Sequence, residues 1–133
     1  MRKDFILRRI GQVLSGLDID LGYVIGSFLI KDEFNDVDVA ILTPAELSSY
    51  EVFRFSMQVA RKLEQLVEPR LEMDVKVLSA CPVSFQYEVI KNGTLVYCRD
   101  EVRRIRYEEG VLGDFLDYAP TSRWLDERFL VEA

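Results

Sequence analysis

Asp36 and Asp38 stand two positions apart at the head of an apolar run, Val37, Val39, Ala40, Ile41 and Leu42. Eight residues separate them from the dipeptide Gly26-Ser27. On a strand, residues i and i+2 project from one face about 6.5–7 Å apart. The two carboxylates can then converge on one site while Val37, Val39 and Ile41 face a core. Such clustering is unfavourable, about 4 kcal/mol for like charges 4 Å apart at an effective dielectric near 20. A divalent cation removes that penalty, and paired acids holding a cation are what metal-assisted nucleotidyl transfer requires. Aspartate is also a poor strand former, so two in alternation call for a reason. With oxygen ligands and no histidine in the chain, Mg²⁺ or Mn²⁺ is the expected ion. The plain alternative is a solvent-facing strand edge bearing two ordinary acids.

Gly26 and Ser27 offer a second chemistry. Glycine lets the backbone approach a phosphate, and free N–H groups with a hydroxyl can cradle the anion. Taken alone the dipeptide is equally a simple turn, and it gains weight from the acids that follow. Asp74 lies with Lys76 on the outer side of a later alternating segment, where the two can form an ordinary surface pair.

Positioning these groups falls to elements that the apolar spacing predicts. Ile6, Ile10, Val13, Leu14 and Leu17 recur at helical spacing and predict a helix from Arg2 to Leu17. Leu21 to Gly26 and Asp36 to Leu42 read as strands, joined by a charged connection, Lys31 to Asn35. Thr43-Pro44 breaks the pattern. Ser48 or Ser49 can cap a helix running to about Val67, with Val52, Phe55, Val59, Leu63 and Leu66 as its stripe. Leu71 to Leu78 alternate as a third strand, with Leu71, Met73, Val75 and Val77 on one face and Asp74 and Lys76 on the other. Pro82 to Lys91 read as a short helix, closed by Asn92-Gly93 in a left-handed turn. Thr94 to Cys98 is a brief strand. A charged helix covers Glu101 to about Asp117, its continuity weakened by Gly110 and Gly113. Strands interleaved with helices predict an α/β or α+β fold, a small mixed sheet flanked by helices.

Composition narrows the chemistry further. A length of 133 residues suits a single domain. The net charge of −6 argues against a general polyanion-binding surface, which needs Lys and Arg to neutralise phosphates. It leaves room for one nucleotide neutralised locally by a metal. Without histidine, Ser-His-Asp and Cys-His catalysis are excluded. Cys81 and Cys98 are too far apart for a Cys-x-x-Cys site and read as buried small residues in a reducing compartment. No signal peptide is evident at the N-terminus, and the run Leu21 to Ile30 is far shorter than the roughly 20 residues that span a bilayer. The expectation is a cytoplasmic protein with no membrane association.

Tyr23-Val24-Ile25-Gly26-Ser27 followed by Asn35-Asp36-Val37-Asp38-Val39-Ala40-Ile41-Leu42 resembles the core of the DNA polymerase β-type nucleotidyltransferase superfamily, and the short length resembles its minimal members. Tyr87 to Tyr97, then a charged helix ending near Phe115-Leu116-Asp117-Tyr118, is similar to MNT-domain antitoxins, the partners of HEPN-domain ribonuclease toxins. The resemblance runs from Ile19 to Tyr118. It implies that Asp74 is a third acid on a neighbouring strand, holding a metal or serving the attacking hydroxyl as a base. It implies ATP as substrate, its triphosphate near Gly26-Ser27, and a tyrosine of a HEPN toxin encoded by a neighbouring gene as acceptor of AMP. The family usually places more residues between Gly-Ser and the first Asp, often with an arginine soon after the serine. Here Phe28-Leu29-Ile30 fill that segment, and Lys31 is its one base.

That departure keeps a second reading open, a degenerate enzyme that neutralises its partner by binding alone. A third is a small-molecule nucleotidyltransferase of the aminoglycoside-modifying type, for which the chain lacks the extra domain. Arg123, Trp124 and Arg128, in the tail beyond Pro120 at about 119–133, carry the aromatic and arginine character that interfaces favour. Tyr107, Phe115, Tyr118, Leu125, Phe129 and Leu130 read mainly as core. The sequence leaves the oligomeric state open, a homodimer included.

Overall fold

The apolar periodicities resolve into four helices and four strands across residues 2–29 and 36–118, the part described by the computed structural model. In chain order these are α1 (Arg2–Ser15), β1 (Leu21–Ile25), β2 (Asp36–Leu42), α2 (Ser49–Leu66), β3 (Glu72–Val77), α3 (Val83–Asn92), β4 (Thr94–Cys98) and α4 (Glu101–Tyr118). One-turn 3-10 helices follow β1 at Gly26–Leu29 and β3 at Leu78–Ala80. The strands form one mixed sheet in the order β3-β2-β1-β4. β1 is antiparallel to both β2 and β4, whereas β2 and β3 are parallel, with α2 as the crossover.

Alternation along the strands divides the apolar residues between two layers. Val24, Val37, Val39, Ile41, Met73, Val75 and Val77 face α1 and α2, meeting Ile6, Ile10, Leu14, Val59 and Leu63. On the other face Leu21, Tyr23, Ala40 and Leu42 pack with Val89 of α3 and with Tyr107 of α4. Each fully buried aliphatic side chain contributes about 1.5–3 kcal/mol.

The helix ends follow the local chemistry closely. Ser48 caps α2 in a capping box: its hydroxyl accepts from the Glu51 N–H at 3.2 Å, and the Glu51 carboxylate accepts from the Ser48 N–H at 3.0 Å. The stripe on α2 differs at its last member, since Leu66 is exposed and Val67, just past the helix, is buried in its place. Gly93 also differs from expectation. Its φ of −79° is ordinary extended backbone, with no left-handed turn. What requires glycine there is space, because a Cβ would lie 2.5 Å from the Val89 carbonyl oxygen, 2.8 Å from the Ile25 side chain and 3.3 Å from the Val24 carbonyl oxygen.

Gly110 and Gly113 do not interrupt α4. The cost of about 1 kcal/mol for each glycine relative to alanine is offset by what the helix touches. Val111 is buried, and the Phe115 ring stacks on Tyr87 with centroids 4.0 Å apart. The Tyr107 hydroxyl donates to Gln86 Oε1 at 2.7 Å, and the Tyr23 hydroxyl donates to Glu108 Oε2 at 2.7 Å. At the start of α4, Arg103 Nε donates to the buried Asp20 at 3.1 Å, and Arg99 approaches the same carboxylate at 3.5 Å. Cys81 and Cys98 are free thiols and half-buried, not the fully enclosed residues the composition suggested. Each has a polar neighbour within reach, the Val77 carbonyl and the Glu101 carboxylate respectively. Among the described residues no helix is long and apolar enough to cross a membrane.

Candidate active site

Strand register brings the two acid-bearing segments side by side. In the parallel β2–β3 pair, Asp36 lies opposite Glu72, Asp38 opposite Asp74, and Ala40 opposite Lys76. Since i and i+2 share a face, all six residues lie on one side of the sheet, the side of α3 and α4. Val37, Val39 and Ile41 point the other way into the core, as their spacing predicted. The same alternation governs β3, whose residues run exposed and buried in turn from Glu72 to Val77.

Asp36 is exposed, Asp38 is partly covered, and Asp74 is exposed on the neighbouring strand. Asp38 carries the electrostatic burden. Burial first, then the charge of Asp74, then that of Asp36, push its carboxyl above the ordinary carboxylate range. The ammonium of Lys76 opposes the shift. Lys76 also forms the surface pair that the sequence left as an alternative, Nζ to Asp74 Oδ2 at 3.2 Å.

The turn after β1 completes the frame. Gly26 has φ +83°, a left-handed conformation that favours glycine. A Cβ there would sit 2.8 Å from Asp38 Oδ2, so the missing side chain is what lets the turn close over the acid. Ser27 occupies the next position of this 3-10 turn. The hydroxyl cradle expected of it, and the connection at 30–35 with Lys31, lie outside the described residues, as does the tail with Arg123, Trp124 and Arg128. Phe28 is buried and pins the turn to the core beneath it.

The donor set suits a hard divalent cation, being carboxylate oxygens that repel one another. Among the described residues no three such side chains already stand as a closed cage. Asp36 and Asp74 are exposed, and rotation between staggered wells can turn them towards Asp38. Glu72, in register with Asp36, is an acid of this face that the sequence reading passed over. The repeat Glu72-x-Asp74-x-Lys76 was the signal that could have found it. A hollow lined by Thr43, Pro44, Tyr50, Arg54 and Phe55 opens at the opposite end of β2 and has no part in the cluster.

Comparison with known proteins bears on this arrangement. The family model described as polymerase beta, nucleotidyltransferase matches residues 8–102. No curated protein sequence matches the chain. Among solved structures, the chain is similar to one in the toxin–antitoxin complex MntA-HepT, with 12% identity, a TM-score of 0.64, and 96% of this chain and 98% of that one covered. It is similar to one in the tri-AMPylated Shewanella oneidensis HEPN toxin in complex with MNT antitoxin, with 13% identity, a TM-score of 0.65, and 96% and 98% covered. A toxin–antitoxin structure with AMP-PNP matches at 13% identity and a TM-score of 0.65, covering 98% and 99%. At these identities the likeness establishes the fold.

Proposed function

The chain belongs to the polymerase beta nucleotidyltransferase family, and from that premise we propose that it is the antitoxin of a toxin–antitoxin pair, moving AMP from ATP to a tyrosine of a HEPN-domain ribonuclease. The observation that carries this reading is the register of Asp38 with Asp74, beside Asp36 and under the Gly26 turn. The similar structures include a HEPN toxin that is tri-AMPylated in complex with its MNT antitoxin. Another holds AMP-PNP.

Asp36, Asp38 and Asp74 would hold Mg²⁺ or Mn²⁺, which supplies charge neutralisation at the reacting phosphate and the leaving group when bound. The chain's own groups do the rest by positioning. Gly26, with φ +83° and no side chain, sets the turn over Asp38, and backbone N–H groups of Gly26-Ser27 would receive the triphosphate beside the acids. The acceptor tyrosine oxygen forms a bond to the α-phosphorus, and the bond from that phosphorus to the bridging oxygen breaks. Pyrophosphate leaves with the electron pair. Asp74, at the exposed border of the cluster, accepts the phenolic proton. The exposed position of the cluster suits an acceptor brought by a second protein, and the reading places the enzyme in the cytoplasm with its partner.

A binding-only antitoxin is the second reading, favoured by the Lys76–Asp74 pair, which neutralises one acid without any ion. Intact mass spectrometry of the co-expressed HEPN partner, incubated with ATP and Mg²⁺, separates the two. Additions of one adenylyl group, the mass of AMP less one water, should appear with the wild type and vanish with Asp36→Asn/Asp38→Asn. Neutralisation of the toxin without added mass would leave binding as the whole function.

A further inference from the structure

Among the described residues, Lys76 is a cation that the fold places against the acid cluster. It lies two residues beyond Asp74 on β3, about 6.6 Å along the strand, and on the same face. Its register partner on β2 is Ala40, whose side chain is one methyl group. No bulky neighbour on that strand therefore confines the lysine stem. The side chain is 44% exposed and its Nζ stands 3.2 Å from Asp74 Oδ2.

This pair is weakly held. An exposed Lys–Asp contact adds little to stability, and Asp74 also lies in register with Asp38, whose carboxyl feels its charge. When Asp74 turns towards Asp36 and Asp38, as the proposed function requires, Lys76 loses its counter-charge. Its four-carbon stem and three N–H donors suit it to an oxyanion in any of several directions.

We infer that Lys76 is a nucleotide-binding residue: on entry of ATP its ammonium leaves Asp74 and donates to a phosphate oxygen. The inference rests on the nucleotidyltransferase reading of this site and adds to it a residue that neither the paired acids nor the Gly-Ser turn supplies. It also gives the surface pair a purpose. Asp74 holds the ammonium at the border of the site until a more highly charged oxyanion arrives.

Calorimetric titration with AMP-PNP, in EDTA and again in Mg²⁺, tests it on the full chain. Lys76→Ala should weaken binding in both conditions by about tenfold or more, the contribution of one charge-assisted hydrogen bond. Lys76→Arg should restore most of it. Lys62→Ala, on the exposed side of α2, changes net charge equally and should bind as the wild type does. Urea midpoints of all three variants should match the wild type, because the lost pair is exposed. Equal affinity of Lys76→Ala and wild type, or an equal loss in Lys62→Ala, overturns the inference. Lys76-dependent AMP-PNP binding with no AMP transfer to the partner would overturn the enzymatic reading and leave this one standing. A wild type that binds no AMP-PNP overturns both.

Discussion

Asp38 is the residue on which the sheet, the turn and the charge all converge. Its oxygen fills the space that a side chain at position 26 would need, and its carboxyl bears the repulsion of Asp36 and Asp74. A carboxyl whose folded value lies above its unfolded value contributes stability that is complete below the unfolded value. That contribution is lost as pH rises through the folded value. In chelator, wild-type stability should therefore fall relative to Asp38→Asn as pH rises from about 4, the ordinary aspartate value. This is the reverse of ordinary acid denaturation, where native ion pairs are lost as pH falls. Urea unfolding of both proteins across that range measures it, and a constant difference between them would count against the electrostatic account. Adding Mg²⁺ should flatten the slope of the wild type, because an ion held by the acids favours their charged forms.

At the scale of elements, α1 lies on β4 so closely that a Cβ on Gly11 would collide with the Val96 carbonyl oxygen. Glycine in a helix interior is ordinarily worth replacing, since alanine is better by about 1 kcal/mol. Here Gly11→Ala should destabilise by about 1–3 kcal/mol, the usual cost of overpacking. Denaturant midpoints decide the sign, and stabilisation would mean that α1 shifts freely on the sheet. Elements of this kind were largely legible in the sequence, because spacing and caps are local. The alternation in β2 and β3 and the Ser48 cap of α2 all follow from neighbouring residues. The Asp36/Asp38 pair was legible for the same reason. What was not legible depends on distant partners. Asp20 is buried where Arg99 and Arg103, some eighty residues on, pair with it. Gly93 is constrained by Val24 and Ile25 of β1 as well as by the Val89 carbonyl of its own helix end. The alignment of Asp38 with Asp74 is a register, fixed by how α2 returns the chain beside β2. The resemblance could supply Asp74, while spacing alone could not.

Over the whole molecule the charge of −6 sets what the surface will attract. Non-specific nucleic-acid binding derives from neutralised phosphates and weakens steeply with salt. The chain should show no appreciable affinity for random DNA or RNA oligonucleotides at physiological salt. A micromolar, salt-sensitive mobility shift would overturn that expectation. The sheet has a further property in its order, for among the described residues β3 is a terminal strand. Terminal strands carry unpaired backbone groups that invite strand addition from other molecules, and proteins guard them with charge. Glu72, Asp74 and Lys76 are the outward residues of that strand. The charges that would serve nucleotide chemistry thus also keep one copy of the chain from zipping onto the next. An attempt to silence the site by making all three apolar would produce a sticky edge, and loss of activity in such a variant would report aggregation as readily as chemistry.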